Sequence, residues 1–124
     1  MKSVLAVKLK KNETEALRDF RSMLANKFNG VDLILYGSKA RGDFEEFSDL
    51  DVLVLTGTEV NNDLEEEIFN ISFKIELKYD VIFGIVVYPK VFWNSTLGNS
   101  MPLHWNIDKE GVDLESILNE YWSY

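Results

Sequence analysis

Two short clusters beside apolar segments have residue types and spacing that suit chemistry on phosphate groups. Gly37-Ser38 follows the apolar run VDLILY, and Asp49 and Asp51 stand at the start of the next run, LDVLVLT. Side chains two residues apart on a strand share a face, so both aspartates point the same way while Leu50 points into the core. Crowded carboxylates repel one another unless a cation neutralises them. Because Mg2+ prefers hard oxygen ligands, the pattern predicts a magnesium site.

A third acid, Asp80, opens the third apolar run, DVIFGIVVY, and is predicted to join the pair as a metal ligand. Two magnesium ions about 3.5–4 Å apart can activate an attacking oxygen and stabilise a leaving phosphate. As a ligand of such a site, Asp80 would also be placed to help deprotonate an acceptor hydroxyl.

The Gly37-Ser38 pair is predicted to bind the phosphates. Gly37 permits a tight turn and the close approach of a ligand, and Ser38 begins a short helix whose free N–H groups attract anions. Arg41 shares a face with Ser38, so it either reaches a phosphate or pairs with Asp43. These features together favour phosphoryl or nucleotidyl transfer by positioning and charge neutralisation.

The elements that must position these residues form an α/β pattern. Apolar runs predict strands at 31–36, 50–56 and 80–88, and helical spacing predicts helices at 12–27 and 58–78. The short first connection makes strands one and two antiparallel, and the long helix permits a parallel crossover to strand three. The predicted fold class is therefore α/β (α+β), with helices packed on a mixed sheet of about three to four strands.

We expect one domain over residues 1–124, made of a catalytic core at about 31–88 and a C-terminal helical segment at 89–124. That segment is predicted to form helices at 89–97, 100–109 and 112–124. The long helix is expected to turn inward Leu64, Ile68, Ile71, Phe73 and Ile75. Several aromatic side chains of the C-terminal segment belong either to the core or to a partner surface: Phe92, Trp93, Trp105, Tyr121, Trp122 and Tyr124.

Composition excludes several classes of protein. The chain has no cysteine, so it has neither disulfides nor a thiolate metal site. The net charge of -8 argues against direct nucleic-acid binding, which needs a basic face. The sequence lacks an apolar run long enough to span a membrane and lacks a signal peptide. A cytoplasmic protein is the expectation.

The string GSKARGDFEEFSDLDVLV, in which ten residues separate Gly-Ser from Asp-x-Asp, is similar to the signature of the DNA polymerase beta-like nucleotidyltransferase superfamily. It resembles most the minimal nucleotidyltransferases, the MNT group, over about residues 33–88. The resemblance implies transfer of AMP from ATP, with Mg2+, onto an acceptor hydroxyl. It implies that Asp49 and Asp51 are metal ligands, that Gly37 and Ser38 bind the triphosphate, and that Asp80 is the third acid.

Many MNT proteins are antitoxins beside HEPN ribonuclease toxins, so the resemblance also implies a HEPN-type protein partner. The small size agrees, since little chain remains to present an acceptor. Two alternatives stay open at this point. The protein neutralises its partner by docking alone, or it modifies a small molecule such as an aminoglycoside. His104, the single histidine, is interpreted as a partly buried structural residue.

Overall fold

A mixed sheet lies at the centre of the fold. The computed structural model describes residues 7–43 and 48–122, with side chains described as far as residue 119. Within these residues four strands form one sheet in the order β3-β2-β1-β4. The strands are β1 (Asp32–Tyr36), β2 (Leu50–Thr56), β3 (Phe83–Pro89) and β4 (Val112–Asp113). As predicted, β1 pairs antiparallel with β2, and β2 pairs parallel with β3.

Within the described residues, two long helices, two helices of nine residues and three helices of four residues accompany the strands. The long helices that connect or precede strands are α1 (Lys11–Lys27) and α3 (Asn62–Tyr79), and the short turn after β1 is α2 (Ser38–Arg41). The C-terminal helices are α4 (Lys90–Trp93), α5 (Thr96–Asn99), α6 (Pro102–Glu110) and α7 (Leu114–Trp122). No helix within the described residues is long and apolar enough to cross a bilayer.

The two faces of the sheet pack against different helices. One face of β1 and β2, including Leu35 and Leu50, belongs to a core built with α1, α3 and α7. The other face, including Leu53 and Leu55, packs with Trp93 and with Ile107 of α6. Because alternate residues of β2 face opposite ways, Asp51 lies on the face of Leu53 and Leu55, while Leu50 points into the larger core, as predicted.

Several predicted boundaries were wrong for local physical reasons. The third strand begins at Phe83 rather than Asp80, because Asp80 ends α3 in the left-handed conformation with φ of 56°. Helix α1 begins at Lys11, and the side chain of Asn12 donates to the carbonyl of Tyr79 instead of capping. The predicted helix at 89–97 is two helices, α4 and α5.

Two further corrections concern side-chain burial and the tail. Phe73 was predicted to face inward, yet its side chain is 58% exposed, while Ile68, Ile71 and Ile75 are buried as predicted. The segment 112–124 was predicted to be helical throughout, but its first two residues form β4 beside β1. The tail residues Leu114, Ile117 and Leu118 are buried, whereas the side chains of Tyr121, Trp122 and Tyr124 lie outside the described residues.

Candidate active site

Asp51 occupies a narrow space between two glycines. Its strand places it opposite Tyr36 of β1 and opposite Gly84 of β3. A Cβ atom added at Gly84 would lie 2.5 Å from Asp51 Oδ1, and one added at Gly37 would collide with Asp51 Oδ2. Glycine at both positions is therefore what lets the Asp51 carboxylate lie against the end of β1 and the start of β3.

Asp49 adds a second negative charge to this place. The pKa of the Asp51 carboxyl is raised above its ordinary value, chiefly by burial and then by the charge of Asp49. The positive charge of Arg41 lowers this pKa, and the charge of Glu110 raises it slightly further. Asp49 itself is exposed to solvent. The structure thus brings the two predicted aspartates together, in surroundings where the ionised form of Asp51 is disfavoured until positive charge arrives.

The turn after β1 supplies donors for an anion beside these acids. Gly37 has φ of 79°, a conformation that favours glycine, and Ser38 begins α2 directly after it. The Arg41 guanidinium lies at the end of α2, where its Nε atom is 3.1 Å from Asp43 Oδ2 and its Nη1 atom is 3.0 Å from Glu110 Oε2. These two carboxylates, Glu110 first and then Asp43, raise the pKa of Arg41.

Two further residues of the site were missed in the sequence, Glu110 and Tyr36. The Glu110 carboxylate accepts a hydrogen bond from the Gly37 backbone N–H at 3.2 Å. Burial, followed by the charge of Asp51 and then that of Glu110, raises the pKa of the Tyr36 hydroxyl. The sequence gives no signal that would have placed Glu110, because the strand β4 that follows it has only two residues and the segment reads as helix.

Asp80 does not share this neighbourhood. It lines a separate pocket with Ser48, Leu50 and the start of α1, and Leu50 belongs to the face of β2 opposite to Asp51. No cluster of three metal-ligating side chains occurs within residues 7–43 and 48–122. The assignment of Asp80 as third metal ligand is not carried by this geometry, and it stays a prediction.

A buried ion pair fixes the turn that carries these donors. Lys39 of α2 is fully buried, and its Nζ atom lies 2.8 Å from Glu13 Oε2 at the start of α1. The other Glu13 oxygen accepts from the Lys10 backbone N–H at 2.8 Å. Lys39 therefore points away from any ligand at Gly37 and ties the turn to α1.

The Asp49–Asp51 pair fits a magnesium ion. Both groups offer hard oxygen donors, and a protein commonly gives Mg2+ only one or two carboxylates, with water and phosphate completing the shell. Burial first, and then the negative charge of Asp49, raises the pKa of the Asp51 carboxyl. A cation would offset this negative charge, and the donors at Gly37 and Arg41 could face the phosphates that accompany it.

Comparison with known proteins identifies the family to which this site belongs. Residues 17–102 match the family described as "Nucleotidyltransferase domain". The chain is a member of the nucleotidyltransferase domain family. This nucleotidyltransferase resembles two proteins of Methanocaldococcus jannaschii that are named as candidate protein adenylyltransferases. MJ0604 is 31% identical over 81% of this chain and 95% of its own length, and MJ0141 is 36% identical over 65% of this chain and 80% of its own length.

Solved structures show the same fold. A toxin–antitoxin crystal structure with AMP-PNP aligns with a TM-score of 0.56 and 19% identity, over 86% of this nucleotidyltransferase and 84% of that chain. A second neighbour is described as a tri-AMPylated Shewanella oneidensis HEPN toxin in complex with MNT antitoxin; it aligns with a TM-score of 0.50 and 15% identity, over 88% and 82% of the two chains. The predicted nucleotidyltransferase fold is confirmed.

Proposed function

We propose that this nucleotidyltransferase transfers AMP from ATP to a hydroxyl group of a partner protein in a magnesium-dependent reaction. The observation that carries the proposal is the arrangement around Asp51. Its carboxylate lies between Gly37 and Gly84, with Asp49 beside it and the phosphate donors at the end of β1. The relatives named as protein adenylyltransferases support AMP as the group transferred.

Each residue has a role that follows from its chemistry. Asp49 and Asp51 would hold magnesium, with two ions expected. The metal supplies positive charge that neutralises the triphosphate and stabilises the leaving pyrophosphate. The Gly37 N–H, Ser38 and Arg41 bind and orient the phosphates, because charge-assisted hydrogen bonds from N–H groups are strong and directional.

In the proposed reaction the acceptor hydroxyl oxygen forms a bond to the α-phosphorus of ATP. The bond between that phosphorus and the bridging oxygen of pyrophosphate breaks, and the hydroxyl proton is lost to a base or to water. The chain contributes mainly by holding the reacting groups in line. Asp80 retains its predicted role as third ligand and helper in deprotonation only as a prediction.

The partner we propose is a HEPN-type protein, with this chain as the MNT antitoxin of the pair. The support comes from structural neighbours, which are described as toxin–antitoxin proteins, one with AMP-PNP and one with an AMPylated HEPN toxin. The reaction would take place in the cytoplasm, where ATP is available.

The test is mass spectrometry of a purified HEPN-type protein after incubation with this nucleotidyltransferase, ATP and Mg2+. We expect a gain of one or more AMP groups. The double variant D49N/D51N should lower the rate by about a hundredfold or more, since removing charge stabilisation at a reacting centre costs about that much. An unchanged rate in that variant, with the fold verified by circular dichroism, overturns the assignment of the two aspartates.

Docking without chemistry is the second candidate, and one observation favours it. Phe69, Phe73 and Leu77 form an exposed apolar stripe on the outer face of α3, and exposed apolar patches often mark protein interfaces. The same experiment separates the two candidates. Docking alone is supported if the partner gains no mass and if wild type and D49N/D51N neutralise it equally well.

A further inference from the structure

Glu110 takes up two donors that the proposed function assigns to the triphosphate. Its Oε1 atom accepts from the Gly37 backbone N–H at 3.2 Å, and its Oε2 atom accepts from Arg41 Nη1 at 3.0 Å. Both carboxylate oxygens are thus turned toward the phosphate donors.

The backbone places Glu110 at this position. Strand β4 pairs antiparallel with β1, with Val112 opposite Leu35 and Asp113 opposite Ile34. Glu110 is the last residue of α6, two residues before Val112, and Gly37 lies two residues after Leu35, so this pairing holds the two residues close together. The end of α6 is also closely packed, because a Cβ atom added at Gly111 would lie 2.6 Å from the Ile107 carbonyl oxygen and 2.9 Å from Ile34 Cγ2. The contact therefore follows from the fold and is not a chance meeting of long surface side chains.

A carboxylate and a phosphate compete for these groups. The single proton of the Gly37 N–H cannot make a full hydrogen bond to both anions at once. Arg41 has five N–H donors and can serve more than one acceptor, yet Asp43 already occupies its Nε atom. In addition, the Glu110 carboxylate lies near Asp49 and Asp51, and all three groups repel an incoming anion.

We propose that Glu110 is an internal competitor of the triphosphate, which holds the Gly37 N–H and Arg41 until a nucleotide displaces it. The inference rests on the proposed function, because it needs a triphosphate that uses these donors. Glu110 lowers the affinity for nucleotides whose phosphates reach Gly37 and leaves the affinity for adenosine unaffected. The nucleotide must supply enough charge, together with its magnesium, to displace a fixed carboxylate.

The test compares Glu110→Gln with wild type by calorimetry, using Mg2+ with a non-hydrolysable ATP analogue and, separately, adenosine. Glutamine keeps the shape of the side chain but removes its charge. Because hydrogen bonds to a charged group are stronger than those to a neutral one, we expect the analogue to bind about tenfold more tightly. Adenosine binding should not change. Glu110→Ala, which removes both acceptors, is the second variant and should tighten binding at least as much.

Asp108→Asn is the matched control. It removes one negative charge from the same helix, at an exposed carboxylate that pairs with His104 at 3.4 Å and touches neither Gly37 nor Arg41. We expect its affinity for the analogue to equal that of wild type. An equal gain in Asp108→Asn would show that net charge alone is responsible and would overturn the inference.

The remaining outcomes separate this inference from the proposed function. Unchanged or weaker analogue binding in both folded Glu110 variants, with normal binding by wild type, overturns the competitor role and leaves the proposed function standing. Weaker binding would assign Glu110 to the metal or nucleotide instead. Absence of analogue binding by wild type and by both variants overturns both proposals. Binding by the variants alone supports the competitor role strongly.

Discussion

Asp51 depends on two residues that have no side chain. Gly37 and Gly84 flank its carboxylate from β1 and β3, and each leaves the space that a Cβ atom would fill. Gly84 has a backbone conformation that residues with side chains also adopt. Among the described glycines, positive φ occurs only at Gly30, Gly37 and Gly42. Gly84 is therefore required for space and not for conformation.

Gly84→Ala should impair the site while preserving the fold. The added methyl group would lie 2.5 Å from Asp51 Oδ1, so the carboxylate must move. We expect AMP transfer to fall by about tenfold to a hundredfold, since small misplacements of reacting groups cost that much. The melting temperature should change little. In the background of Asp51→Asn the same alanine should cost nothing further, because the two changes act on one group; full additivity would contradict this explanation.

The charge of Asp51 should make the metal-free protein less stable at neutral pH. Its pKa is raised in the folded state, chiefly by burial, so the folded state holds the proton more tightly than the unfolded chain does. Stability is then lost as the pH rises from the ordinary value of 3.8 through the folded pKa. Asp51→Asn removes this loss and should melt higher than wild type at pH 7, with the difference shrinking below about pH 4.

Thermal denaturation across this pH range, in EDTA, is the measurement. Glu66→Gln, which neutralises an exposed carboxylate on α3, is melted over the same pH range as the charge-matched control. Added Mg2+ should narrow the gap by stabilising wild type alone, because a ligand that binds only the folded state raises its stability. If Asp51→Asn is less stable than wild type at pH 7, the prediction is wrong, because the ionised carboxylate would then stabilise the folded state.

At the scale of elements, α2 is held by one ion pair that runs inward. Lys39 is fully buried against Glu13, so a salt bridge within the core joins α2 to α1. Breaking a buried pair by removing one partner leaves the other charge uncompensated. The turn that carries the proposed phosphate donors therefore depends on a residue whose own side chain is buried against α1.

Lys39→Met should destabilise the protein by about 3–5 kcal/mol, because Glu13 is left buried without its cation. The double variant Lys39→Met with Glu13→Gln should recover part of this loss, since glutamine is neutral and can still accept from the Lys10 N–H. Urea unfolding measures both. The exposed pair Lys27–Glu67 is the control, and Glu67→Gln there should cost about 1 kcal/mol or less. An equal loss in the two pairs would refute the difference attributed to burial.

The sequence predicted those elements whose signals are local. Strands β1 and β2 have apolar runs of the right length, and the short connection between them dictates antiparallel pairing, so Gly37, Asp49 and Asp51 were correctly brought to one edge. The predicted start of β3 was wrong. Asp80 stands directly before an apolar run in the sequence, but its backbone is left-handed and ends α3. Glu110 was missed because a strand of two residues, β4, leaves no periodic pattern to detect.

At the scale of the whole molecule, the two faces of the sheet differ: one holds the larger core and the other holds the candidate site. The face built with α1, α3 and α7 holds most of the buried apolar side chains and provides stability. The other face carries the aspartates and packs against α4 and α6, where His104 is buried and stacks on Trp93 with ring centres 4.1 Å apart. The structural interpretation of His104 is consistent with this placement. Trp105, by contrast, is exposed and available to a partner.

The position of β4 has a consequence for how relatives of this protein are grouped. The family match covers residues 17–102, whereas the carboxylate that contacts Gly37 comes from residue 110. Under the competitor role proposed for Glu110, two proteins that share the matched domain but differ at this position would differ in nucleotide affinity. Classification by the matched domain alone would then group together enzymes that need different ATP concentrations to become active.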